Sequence, residues 1–151
     1  MELKDILSIS GRQGLYKLNT KTRAGVIATS LIDGKRVITT INQKISMLSE
    51  ILVYCIGREI LLLEVFEKML LYESGKIASV MSKANSSDLA AYFFKIIEDY
   101  DEEKVYPSDI KKMIQWYNIL VTQKIIKLDK QNLKKEENNK SDNSLSNKKK
   151  K

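Results

Sequence analysis

With 151 residues, 43% of them apolar, the chain has material for one domain or two very small ones, and its composition is not that of a wholly disordered protein. It has no histidine and a single cysteine, Cys55, so the commonest general base, the commonest metal ligand, an internal disulfide and a zinc cluster are all excluded. The formal net charge of +7 is unevenly placed: residues 1–58 carry +5, residues 59–128 carry −2 and residues 129–151 carry +4.

The start, MELKDILSIS, has Glu2 and Asp5 where a secretory signal would be basic and then apolar. The densest apolar run, Ile60 to Leu63, ends at Glu64, far short of the roughly 20 residues that span a bilayer. A cytoplasmic protein with no membrane partner is expected. Next comes Gly11-Arg12-Gln13-Gly14. A Gly-x-x-Gly loop clamps a nucleotide backbone in one class of RNA-binding domain, where it joins two helices. Here strand-like residues follow, so the stretch reads as a tight turn.

Leu15 to Leu18 is a short strand ending near Asn19-Thr20-Lys21-Thr22, and Gly25 to Ile32 is a second, rich in β-branched residues. Asp33-Gly34 then predicts a type I′ hairpin turn into Lys35 to Ile41. Lys44 to Ile56 adds a short helical turn and another strand. Four or five short strands predict a small, strongly bent antiparallel sheet, an SH3-like β-barrel over residues 1–58.

From about residue 60 the apolar period lengthens. Leu62, Val65, Phe66, Met69 and Leu70 share one helical face, with Gly75 as the stop. A second helix is capped at Ser86 or Ser87, with Asp88 at its positive end and a stripe of Leu89, Tyr92, Phe93, Ile96, Ile97 and Tyr100. The third begins at Pro107-Ser108-Asp109 and carries Ile110, Met113, Ile114, Tyr117, Leu120, Val121, Ile125 and Leu128. The predicted class is α+β: the barrel, a three-helix domain over 59–128, and a disordered, basic, Lys- and Asn-rich tail over 129–151.

No phosphate-binding, nucleophile-elbow or dinucleotide motif is present, so no catalytic residue, cofactor or metal is assigned and an enzyme is not expected. Cys55, inside the run Ile51 to Ile56, reads as a buried structural thiol. The acidic residues Asp99, Asp101, Glu102 and Glu103 lack the spacing of a calcium loop and read as a solvated connection, one too long and too acidic for a helix-turn-helix.

Two binding readings remain. Arg12, Lys17, Lys21, Arg23, Lys35 and Arg36, with Tyr16 for stacking, are what single-stranded RNA or a ribonucleoprotein would need on a small barrel. Lysines at strand edges also guard against edge-to-edge aggregation. The alternative is a protein-interaction adaptor using the helical part, with Asp109, Trp116 and Tyr117 as candidates; one of the two aromatics belongs in the core and the other faces the barrel or a partner.

MELKDILSISGRQGLYKL, with the later VFEKM, resembles the start of a Bacteroidetes family of small proteins known as a domain of unknown function. DLAAYFFKIIEDYDEEKVYPSDIKKMIQWYNIL is similar to its helical part, notably at Tyr100-Asp101-Glu102, Val105-Tyr106, Ser108 to Lys112 and Trp116-Tyr117. The resemblance covers roughly residues 1–120. It implies a cytoplasmic protein of that bacterial group, with an AT-rich genome, and transfers no activity.

Overall fold

The computed structural model describes residues 3–40 and 42–128, so the tail expected at 129–151 lies outside the described residues. Five strands, β1 (Ile6–Ile9), β2 (Tyr16–Thr22), β3 (Gly25–Ser30), β4 (Arg36–Ile38) and β5 (Ile45–Met47), form an antiparallel sheet in the order β4-β3-β2-β1-β5. A 3-10 turn, Leu48–Glu50, leads to a hairpin of β6 (Leu52–Cys55) and β7 (Arg58–Leu61). Three helices follow: α1 (Leu62–Tyr72), α2 (Ser86–Ile96) and α3 (Pro107–Thr122). None of the described helices is long and apolar enough to cross a membrane.

The class is α+β, but the sheet does not close into the expected SH3-like barrel. β4 and β5 are its two edges and do not pair with each other. Each edge strand has three residues. The strand predicted at the end of the segment pairs elsewhere. Gly57, at φ +76, turns β6 back onto β7 as a separate two-stranded sheet.

Register decides what each face buries. Leu7 lies opposite both Tyr16 and Met47, Ile9 opposite Ile45, and Ala28 opposite both Leu18 and Val37. These eight residues form a small cluster of the sheet's own. The opposite face of β1 sends Ile6 into the main core, where Leu3, Leu15 and Leu48 join the buried stripes of the helices. The N-terminal segment and the helices therefore share one core.

Several local expectations change. β1, β5 and β7 were not foreseen. The β3–β4 connection is not a type I′ turn, because Asp33 does not take positive φ; only Gly34 does, at +75°. Leu31 to Gly34 form a four-residue loop, closed by the Ser30 N–H donating to the Lys35 carbonyl at 2.8 Å. Ser30 Oγ accepts from the Ile32 and Asp33 N–H groups, and the Asp33 carboxylate from the Lys35 N–H, which holds that carboxyl below its usual range. The two-residue turn is instead Arg23-Ala24, between the paired Thr22 and Gly25. Asn85, not Ser86 or Ser87, caps α2, its side chain accepting from the Asp88 N–H at 2.8 Å. Gly75, at φ +80, does follow the end of α1, its N–H donating to the Leu70 carbonyl.

Candidate protein-interaction groove beside strand β6

β6 alternates cleanly. Val53 and Cys55 point into the core, while Leu52 and Tyr54 point outward, 44% and 40% exposed. Burial raises the Cys55 thiol pKa, which keeps it protonated and unreactive. On one side β6 pairs with β7. On the other it meets the segment before α3, where Cys55 and Tyr100 form an isolated antiparallel bridge. The Ile56 N–H donates to the Asp99 carbonyl at 2.8 Å, and the Asp101 N–H to the Tyr54 carbonyl at 3.0 Å. Arg58 clamps this segment from β7, donating through Nε and a terminal nitrogen to both oxygens of Asp99 at 2.8 and 3.0 Å. These bonds lower the Asp99 pKa and raise that of Arg58.

Past Asp101 the chain turns away, the Lys104 and Val105 N–H groups both donating to the Asp101 carbonyl. A groove of about 270 Å³ opens there between β6 and α3. Ile51 to Tyr54 form one wall, and Met113 and Trp116 the other. Asp109, Lys112, Met113 and Trp116 reach it together because their spacing repeats on one helical face. Lys104 Nζ sits 5.4 Å from the centroid of the Tyr54 ring. The Asp109 carboxylate accepts from the Tyr106 N–H at 3.0 Å, which fixes the start of α3.

Of the three residues expected to serve a protein partner, Asp109 and Trp116 thus share the groove. Tyr117 lies in the core, fully buried, its hydroxyl donating to the Lys76 carbonyl at 2.6 Å. Burial raises its pKa. Leu52, Tyr54, Lys104, Lys112 and Met113 were missed. The alternation at Leu52 and Tyr54 was hidden in a run that reads as uniformly apolar.

The seven residues assigned to nucleic acid are divided among three places. Arg12, Tyr16 and Lys35 border an open concavity of about 540 Å³, together with the opposing carboxylate Asp33. Tyr16 is only 6% exposed and belongs to the sheet's own cluster, its hydroxyl donating to the Gln13 carbonyl. Most of its ring is thus packed inside that cluster rather than presented to solvent. Lys17 and Arg36 stand on the other face of the sheet, in one row with Thr29 between them. Lys21 and Arg23 are at the far end of the β2–β3 hairpin. Among the described residues, no group of three His, Cys, Asp or Glu side chains is arranged to hold a metal.

Residues 3–48 match a family described as Domain of unknown function (DUF5606), and residues 51–120 one described as Domain of unknown function (DUF6852). The junction falls on the 3-10 turn between the sheet and the hairpin. A solution NMR structure from Bacteroides vulgatus, a Northeast Structural Genomics Consortium target, is 39% identical, with 83% of this chain and 90% of that one covered at a TM-score of 0.71. No curated protein matches the chain.

Proposed function

The chain belongs to a Bacteroidetes family built of these two consecutive domains of unknown function, and on that premise we propose that it is a non-enzymatic, cytoplasmic protein-interaction adaptor. The observation that carries this reading is the groove between β6 and α3, concave, mostly apolar and edged by lysine side chains. Its volume of about 270 Å³ is below the roughly 300–1,000 Å³ of small-molecule sites, and it suits the anchoring side chains of a protein partner. Exposed Leu52, Tyr54 and Leu61 extend the apolar surface beside it. RNA or a ribonucleoprotein is the alternative. It keeps the support of the +5 charge in residues 1–58 and loses that of a coherent site.

The test is a pull-down of the tagged chain from Bacteroidetes cytosol, with and without nuclease, at low and high salt. An adaptor retains a protein partner after nuclease and at high salt, and loses it in the Leu52→Lys variant, whose outward position leaves the fold intact. Capture that needs nucleic acid and weakens steeply with salt would put the RNA reading in its place.

A further inference from the structure

We infer that the open edge of β6 accepts an extended, acidic and apolar segment of a partner protein as an added strand. This rests on the adaptor reading and names the partner's chemistry. In the β6–β7 ladder the Leu62 N–H donates to the Ile51 carbonyl, so Ile51, Val53 and Cys55 are the residues bonded towards β7. Leu52 and Tyr54 point their backbone groups the other way, into the groove. The Tyr54 carbonyl is taken by Asp101. Among the described residues, the Tyr54 N–H and both backbone groups of Leu52 have no hydrogen-bond partner. An unpaired edge of this kind is a template for another strand.

The molecule itself indicates which strand fits. The half of the edge already covered is covered by Asp99-Tyr100-Asp101, an aromatic residue between two carboxylates, paired antiparallel. That pairing stops only because the chain turns at Asp101. The uncovered half faces the ammonium groups of Lys104 and Lys112, whereas the one carboxylate lining it, Asp109, already accepts the Tyr106 N–H. A segment of alternating large apolar and acidic residues would continue the ladder. Its apolar side chains would lie against Met113 and Trp116, and its carboxylates would meet the two lysines. The +4 charge of residues 129–151 makes the chain's own tail a poor occupant.

The experiment selects phage-displayed random seven-residue peptides on the full chain, then resynthesises the winners with backbone N-methyl groups at alternate residues. The expected winners alternate acidic and large apolar residues. N-methylation on the register facing β6 weakens them about tenfold or more, because it deletes backbone hydrogen bonds, and bound peptide slows hydrogen exchange at the Tyr54 amide. Leu52→Pro removes an outward N–H that β7 does not use and abolishes binding. Lys112→Glu, exposed on α3, weakens the same peptides if Leu52→Pro proves unstable. Basic winners, winners spaced for a helix, indifference to N-methylation, or no winners at all would overturn the added strand. The adaptor reading would then stand or fall separately, on whether Leu52→Lys still captures the cytosolic partner.

Discussion

The N-terminal sheet and the hairpin-and-helix part differ in where charge and shape reside. The sheet region is basic, at +5 over residues 1–58, yet its cations are dispersed over two faces and a distant hairpin, and its aromatic candidate is buried. The region from 59 to 128 is slightly acidic, at −2, yet it helps to build the groove. Charge counted along a chain sets its long-range field. A site needs side chains converging on one volume, and register and helical phase decide that.

The contrast is sharpened first by asking whether the two regions are separate at all. Phe66→Ala, in the centre of the helical core, is expected to cost about 3–5 kcal/mol. Because Leu3, Ile6, Leu15 and Leu48 share that core, the amide signals of β2 and β3 should be lost in urea at the same midpoint as those of α1 to α3. A sheet that outlasts the helices would break the shared-core account.

A smaller and more local effect is expected within the sheet. A Cβ added at Gly25 would stand 2.4 Å from the Thr39 carbonyl oxygen, a backbone atom with little freedom to move. Gly25→Ala should cost about 1–3 kcal/mol by denaturant midpoint while leaving partner capture at the groove unchanged. Smaller again is the surface pair Arg58–Asp99. The Asp99 pKa is lowered in the folded state, so its contribution is present above the ordinary carboxylate pKa and lost as pH falls through the lowered value. Asp99→Asn should lower the melting temperature slightly at neutral pH and match the wild type in strong acid. At the end of the scale, changing Arg23, Lys35 and Arg36 together to Glu should leave partner capture as it is. If that variant instead loses a bound nucleic acid, the basic surface has a ligand.

The helices were legible because each carries a 3.6-residue stripe, and α2 and α3 also have local start signals, as at Pro107 and Asp109, whereas no side chain caps α1 at Leu61. β7 was not, because Arg58 to Leu61 runs straight into the stripe of α1 and the change of period is blurred by consecutive leucines. Barrel closure failed for another reason. Bent strands are a local property, but which edge meets which is set by pairings such as Leu7 with Met47, forty residues apart, that no window contains. The groove was half readable. Helical spacing put Asp109 and Trp116 on one face, while the open edge depends on the place where Asp101 leaves β6.

The shared core has a consequence for how the molecule is made. The same cluster holds Ile6 from the first strand and Ile126 from beyond the last helix. On a ribosome adding roughly 5–20 residues per second, the interval between the two is about 6–24 s. Through that time the cluster that Ile6 belongs to lacks at least one of its members. The full core can therefore close only after residue 126 has been made, well after its first strand.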